Sequence, residues 1–453
     1  MPRLVFYLIS TIMMYGCGDD LKTPPQNDGI DKEQTVTPLE SVPPLEEQVV
    51  YEVNIRAFSA EGTFSGVVQR LPEIKNLGVN VIWLMPIHPI GQLNGIGSPY
   101  AVQDYGAVAE EYGSLDELKA LINAAHELEI AVIIDWVANH TAWDHDWITA
   151  HPEWYTQDGN GNIVEPAGTG WTDVADLNFD SEQLRQEMIN EMIYWVDEVG
   201  IDGFRADAID FIPTDFWAQA ITDVNAITSR NLIWLGEGGK ADNFAAGFEM
   251  NYAWDFYYLG LKRVFDEDYS AATLLSIHNN EYNQLPDGTE KLRYITNHDV
   301  AAWEESVVDV FDLWGSVSAF VITAFMDGVP LIYTGQEVGY PTTLPFFTKE
   351  PINWSQNPAV YDAYAAIMSA RANLPAVHYG SLTNYSSTDI VAFTRTYNDQ
   401  EVLVLANVRN TSKTIALSEE ITSTGWTNAI SEATLSIEET VQLGAYEFLI
   451  LRR

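Results

Sequence analysis

Cysteine is almost missing from this chain. Cys17 is the only one in 453 residues, which excludes any intramolecular disulfide. Positive charge is scarce as well: 22 Lys and Arg stand against 65 Asp and Glu, for a net charge of −43. Such a surface repels nucleic acid and anionic membranes and does not steer anionic substrates, so a neutral substrate fits best. The acidity is equally that of a merely solubilising surface or of a protein from a saline setting. The apolar run at the N-terminus, Leu4 to Tyr15, is too short to span a bilayer as a stable helix. No repeat of fixed period is present.

What is there belongs to a large globular protein. Hydrophobic residues make up 47% and aromatics 12%, enough for a substantial core, and the length exceeds that of one small domain. Residues 1–17 read as a signal peptide: Arg3, an apolar stretch, then Gly16 and Cys17. The arrangement resembles a bacterial lipoprotein signal. That resemblance implies lipidation at Cys17, contact with membrane only through the lipid, and an address in the bacterial cell envelope, with the acidic residues after Cys17 favouring the outer surface. Residues 18–46, rich in Pro, Asp, Glu and Thr, read as a flexible tether.

From residue 47 the pattern becomes regular. Apolar runs recur at 48–55, 79–86, 130–137, 201–208, 231–238, 292–299 and 329–337, with a less clear one at 248–256. Near-continuous apolar runs indicate strands covered on both faces, as in parallel sheets. Helical stretches alternate with them. One opens with capping-box spacing, Ser114 to Glu117, and another stops at Gly200. Eight βα units predict an α/β fold, a (β/α)₈ barrel over residues 47–376. A short insertion follows the third strand at about 141–175. After 376 the helices stop, and 389–397, 401–408, 412–417 and 446–453 read as strands of a small all-β domain, 377–453.

The stretch "GFRADAID" (203–210) poses a question, because it carries charge in an apolar strand. Side chains alternate across a strand, so Arg205 and Asp207 share a face, and a buried charge is costly unless paired. Other strand ends carry polar residues too: Asp135, Asn139 and His140 in "DWVANH", Glu237 in "GEGG", and Asn297, His298 and Asp299 in "NHD". Sites in this barrel sit at the C-terminal strand ends. Any one of these residues has a structural explanation as a cap or ion pair; the set over four strand ends does not.

These motifs in this order, with "ADLN" (175–178) and "SPYAVQDYG" (98–106), resemble the α-amylase family of glycoside hydrolases over residues 48–453. The resemblance implies a retaining hydrolase of α-1,4-glucosidic bonds in starch, glycogen or maltooligosaccharides. Asp207 is then the nucleophile, Glu237 the acid/base and Asp299 the third acid. Arg205 is expected to lower the Asp207 pKa and neighbouring acids to keep Glu237 protonated. Gly236 and Gly238 are expected to let a sugar approach closely. Tyr100, His140 and His298 become the substrate shell. Trp143, Trp154 and Tyr155 are candidate sugar platforms, with core packing the alternative. No cofactor is needed for the chemistry. Asn139 and Asp176 match family calcium ligands, and a Ca²⁺ bracing the third-strand loop stays open. Two departures stand out. Asp210 and Phe211 occupy positions where many members carry a Lys-His pair, and the insertion is too short for their large calcium-binding subdomain. A short insertion leaves the cleft open to polymers. The chain is expected to act as a monomer. A glucanotransferase, a cyclomaltodextrinase, an α-glucosidase-type enzyme of the same clan, or an inactive glycan-binding barrel remain alternatives.

Overall fold

Eight apolar strands close on one another in parallel. In chain order they are β1 (Val50–Val53), β2 (Val81–Leu84), β3 (Ala131–Trp136), β6 (Gly203–Ala206), β7 (Ile233–Gly236), β8 (Met250–Tyr252), β9 (Glu290–Arg293) and β10 (Val329–Tyr333). The short β4 (His140–Ala142) and β5 (Val174–Asp176) form an antiparallel pair in the insertion. Around the barrel the order is β1-β10-β9-β8-β7-β6-β3-β2, and β2 closes onto β1. The structure, a computed structural model, describes residues 35–453. Cys17, the signal segment 1–17 and tether residues 18–34 lie outside the described residues.

Eight strands are present as predicted, though the one expected over 292–299 falls earlier, at Glu290–Arg293. Their apolar runs are buried on both faces, which is why they lack the alternation of a half-exposed sheet. The helix Leu115–Glu127 has the predicted capping box, with Ser114 and Glu117 exchanging side-chain and backbone hydrogen bonds. The helical run from Glu182 ends at Gly200 in a left-handed conformation (φ 87°), open to glycine without a Cβ penalty.

The chain beyond the barrel folds as an antiparallel sheet. Its strands are β11 (Ser381–Asn384), β12 (Ile390–Tyr397), β13 (Gln400–Asn407), β15 (Ser423–Asn428), β16 (Thr434–Ile437) and β18 (Phe448–Arg452), with β14 (Lys413–Ala416) and β17 (Thr440–Leu443) paired apart. β12, β13, β14 and β18 match predicted runs. β11, β15, β16 and β17 were not expected. Their sequences are Ser- and Thr-rich, and β11, β16 and β17 are partly exposed, so they carry little apolar signal. The sheet docks on the barrel through Val391, Phe393, Val402 and Val404, which join the main core.

The expected tether ends earlier than residue 46. Val36, Leu39, Val42 and Leu45 pack against the main core, Thr37 N donates to Asn123 Oδ1 at 2.8 Å, and the Thr37 carbonyl meets His126 Nδ1 at 2.7 Å. The physical reason is a three-residue apolar spacing among prolines.

Candidate active site

Parallel register brings the charged residues together. Asp135 on β3 pairs in register with Arg205 on β6, and Ala206 pairs with Gly236 on β7. Asp207 and Glu237 are therefore the first residues beyond two adjacent strands. Arg205 is fully buried and its guanidinium is shared: Nη1 lies 2.9 Å from both Asp135 Oδ1 and Asp207 Oδ1, and Nη2 lies 3.2 Å from Glu237 Oε2. The charge on the sixth strand is thus paired, and the fork holds two carboxylates at the mouth of the barrel. Ala208 takes a left-handed conformation (φ 46°), and its N–H donates to Glu237 Oε2 at 2.8 Å. Left-handed backbone is uncommon for alanine.

A second chain of contacts fixes the substrate shell. His298 meets Glu52 Oε1 through Nδ1 at 2.5 Å and Tyr100 OH through Nε2 at 2.8 Å. Tyr100 OH donates onward to Asp135 Oδ2 at 3.1 Å, where Trp83 Nε1 also donates. The Tyr100 and His298 rings stack at 5.4 Å. Asp299 sits 3.4 Å from His298 Nε2, its side chain 45% exposed to the cavity.

Acids outnumber cations here, and burial sharpens the imbalance. Burial raises the Glu237 carboxyl to about 7; Arg205 opposes the shift, while Asp207 and Asp299 add to it. Burial also raises Asp207, to about 6, against the pull of Arg205. Arg205 does lower it, as expected, but the net shift is upward because the cost of taking a carboxylate out of water exceeds the gain from one shared cation. The order survives: Asp207 gives up its proton before Glu237 does. Burial alone would lower the His298 pKa, but the carboxylates of Asp299 and Glu52 raise it to about 9. Burial lowers His140 to about 4, so that ring is neutral at pH 7.

Tyr100, His140, Asp207, Glu237, His298 and Asp299 line one cavity of about 520 Å³; Arg205 lies beneath it. Asn139 and Asp176 do not line it. The Asn139 Nδ2 faces His140 Nδ1 at 3.2 Å, and Asp176 belongs to the β4–β5 pair. Among the described residues no group of three or more His, Cys, Asp and Glu is placed to hold a metal ion. A Ca²⁺ also takes backbone and amide carbonyls and waters, and no chemical step is routed through one.

Three further expectations are corrected. Trp154 and Tyr155 are buried, Trp154 stacked on His151 at 3.9 Å and Tyr155 bonded to Thr141, and neither reaches the cavity. Trp143 packs on the core and donates to the Thr172 carbonyl at 3.0 Å. The space beside Gly236 and Gly238 belongs to protein: a Cβ there would meet Ile209 Cδ1 and Asn243 Nδ2, both at 2.4 Å. Conversely, sequence reasoning missed Glu52, Trp171, Trp254, Trp303, Phe346 and Phe347. Glu52 had a usable signal, a charge inside the apolar run of β1, of the same kind that marked Arg205. The aromatics had none, since isolated loop aromatics follow no period.

Comparison with known proteins adds two findings. The sequence model of the α-amylase catalytic domain matches residues 26–160 and 169–363, and that of the α-amylase SusG C-terminal domain matches 390–450. Alpha-amylase 3 of Dictyoglomus thermophilum is 25% identical over 455 aligned residues, spanning 82% of this chain and 87% of its own. Among solved structures, the maltogenic α-amylase AmyB of Thermotoga neapolitana has a TM-score of 0.82 at 26% identity, covering 91% of this chain and 99% of that one. An α-amylase of Lactobacillus plantarum has a TM-score of 0.80 at 25% identity, with coverage of 90% and 99%.

Proposed function

This chain belongs to the α-amylase family, whose catalytic domain it matches over most of its length, and from that premise we propose a retaining mechanism on α-1,4-glucosidic bonds with Asp207, Glu237 and Asp299 as its acids. The protein is a glycoside hydrolase that cleaves α-glucans. Starch, glycogen and maltooligosaccharides are the proposed substrates, in keeping with the names of the relatives and with an acidic chain suited to neutral sugars.

One observation carries the assignment of roles: the Arg205 fork that holds Asp207 and Glu237 together at the mouth of the cavity. Asp207, ionised first, attacks the anomeric carbon while protonated Glu237 gives its proton to the departing glycosidic oxygen. A covalent glycosyl-enzyme forms. Glu237, now a carboxylate, takes a proton from water, and that water displaces Asp207 with net retention. Positive charge develops on the sugar ring in both steps. Glu52, Asp135, Asp207 and Asp299 around Arg205 and His298 leave an excess of negative charge to stabilise it. Tyr100 offers a ring face to the sugar being cleaved. His298, charged through its contacts with Glu52 and Asp299, has its ring nitrogens engaged by Glu52 and Tyr100 and so positions the Tyr100 ring, while neutral His140 can donate to a sugar hydroxyl.

Proton NMR of the first product from an α-linked maltooligosaccharide tests this. The α-anomer should appear first; a β-anomer would mean inversion and would remove Asp207 as nucleophile. Lipidation of Cys17, anchoring the enzyme at a bacterial envelope, is part of the same proposal and rests on the sequence of residues 1–17. Metabolic labelling with a fatty-acid analogue should mark the wild type and not Cys17→Ser; equal labelling of both removes the anchor.

A further inference from the structure

Five carboxylates line the cavity: Asp173, Asp207, Asp210, Glu237 and Asp299. Four of them have partners elsewhere in the protein. Asp207 and Glu237 share the Arg205 fork, and Asp299 lies 3.4 Å from His298 Nε2. Asp210, on the turn after Asp207, accepts from Gly239 N at 3.0 Å and from Asn243 Nδ2 at 2.9 Å. Asp173 is the exception. It is 7% exposed, yet among the described residues its carboxylate meets no cation and no side-chain donor; its own backbone N–H is the one protein donor that acts on it. An ionised carboxylate accepts at about four lone-pair sites, and taking one out of water without partners is unfavourable. Burial accordingly raises the Asp173 pKa.

Local structure fixes where this group sits. The insertion strands β4 and β5 pair antiparallel with Ala142 opposite Val174, so Asp173 is the residue just ahead of the paired stretch. Trp143 Nε1 donates to the Thr172 carbonyl at 3.0 Å, which holds the peptide plane leading into Asp173. Val174, on its other side, packs with Ala101 and Ala142. The backbone is pinned on both sides of Asp173, so little of it has to be ordered when a ligand arrives. A carboxylate is an acceptor only, so the ligand must bring the donor. An α-glucan carries hydroxyl donors on every ring.

We propose that Asp173 accepts a hydrogen bond from a sugar hydroxyl of the bound glucan and is a binding determinant that the insertion adds to the cleft. It takes no part in bond cleavage, which Asp207, Glu237 and Asp299 supply. The contact is made equally before and during cleavage, so it acts on affinity and not on turnover. The inference rests on the α-glucan-hydrolase reading above.

Initial rates on maltotetraose test it. Asp173→Ala should raise KM roughly tenfold, as loss of one charge-assisted hydrogen bond does, with kcat close to wild type. Asp173→Asn keeps an acceptor oxygen without the charge, and its KM should fall between the two. Melting temperature separates binding from bracing. The raised pKa means that the ionised group opposes folding, so Asp173→Ala should melt at or above wild type at pH 8, whereas loss of a brace would lower the melting point. An unchanged KM in Asp173→Ala, a loss confined to kcat, or a KM rise accompanied by a lower melting temperature would each overturn the proposal and leave the hydrolase reading in place. A wild-type enzyme that turned over neither maltotetraose nor α-maltosyl fluoride, whose departing fluoride needs no acid, would overturn the hydrolase reading itself, and this proposal with it.

Discussion

Arg205 on β6 and Arg293 on β9 are both fully buried in the same barrel, and each sits among carboxylates. Around Arg205 the acids are in excess, and Asp207 and Glu237 are both pushed up. Around Arg293 the balance reverses. Arg293 Nη1 pairs with Glu281 at 2.6 Å, Nη2 meets His278 Nδ1 at 3.0 Å, and Asp327 is held by His278 Nε2 at 3.3 Å and by Arg395 from the C-terminal sheet. Burial alone would raise the Asp327 pKa, yet the His278 hydrogen bond and the charge of Arg395 hold it below the usual aspartate value. Burial lowers His278 itself, which suits a neutral ring that accepts from Arg293 and donates to Asp327. The same residue types thus do opposite things. In the Arg293 cluster each acid has its own cation, and the network ties β9 to the C-terminal sheet. In the Arg205 cluster one cation is divided among three acids, and the site is kept short of charge neutrality where a cationic transition state will form.

Single substitutions should separate the two clusters sharply. Asp207→Asn should cut turnover on starch by roughly four orders of magnitude, as loss of a nucleophile does, with no fall in melting temperature. Asp327→Asn should do the reverse, costing on the order of 3 kcal/mol because Arg395 loses its partner charge, with kcat/KM on maltotetraose close to wild type. Denaturant melts and initial rates on both proteins check this, and a stability loss in Asp207→Asn as large as in Asp327→Asn would end the contrast.

A smaller effect should appear in the pH dependence of stability, with opposite signs. Glu237 has a folded pKa of about 7 against an ordinary value of 4.5. Folding is therefore penalised progressively as pH rises from 4.5, and the penalty is complete above about 7. Glu237→Gln should melt higher than wild type at pH 8 and equal to it at pH 4. Asp327, with a depressed pKa, stabilises the fold above the ordinary aspartate value and loses that contribution as pH falls through its folded pKa. Asp327→Asn should therefore melt below wild type at pH 8, and the gap should narrow on acidification. If both variants shifted in the same direction at pH 8, the charge-balance account would be wrong.

The smallest change is in activity across neutral pH. Asp207 must be ionised and Glu237 protonated, so kcat/KM should rise through about 6 and fall through about 7, giving a narrow bell. In Glu237→Gln the alkaline limb should vanish from whatever rate remains on α-maltosyl fluoride. An alkaline limb unchanged in that variant would assign the falling limb to another group.

Much of this was legible before any coordinates. Ser114 and Glu117 mark their helix start because a capping box is a purely local arrangement. Asp207 and Glu237 could be placed at strand ends because an apolar run defines its own terminus, and a charge inside such a run has few structural explanations; Asp299, expected at the end of a strand over 292–299, instead lies beyond β9 (Glu290–Arg293) and caps the helical turn Val300–Glu304. Glu52 carried the same signal and was passed over. The pull of Arg205 on Asp207 was legible from strand alternation, but the opposing cost of burial was not, since it depends on what every neighbouring element excludes. Val36 to Leu45 looked like linker because proline suppresses secondary structure; whether such a segment docks depends on a groove made by a distant helix.

The order of apolar runs and breakers determined the barrel and its eight strands, and put Asp207 and Glu237 at the ends of two of them, because strand and helix periods are written along the chain. Tertiary structure alone decided that one guanidinium would be divided between Asp207 and Glu237, that Trp143 would brace a loop instead of facing sugar, and that Trp171 and Phe211 would meet across the cleft. Those outcomes depend on distances between residues far apart in sequence, and such distances are fixed only when the barrel closes.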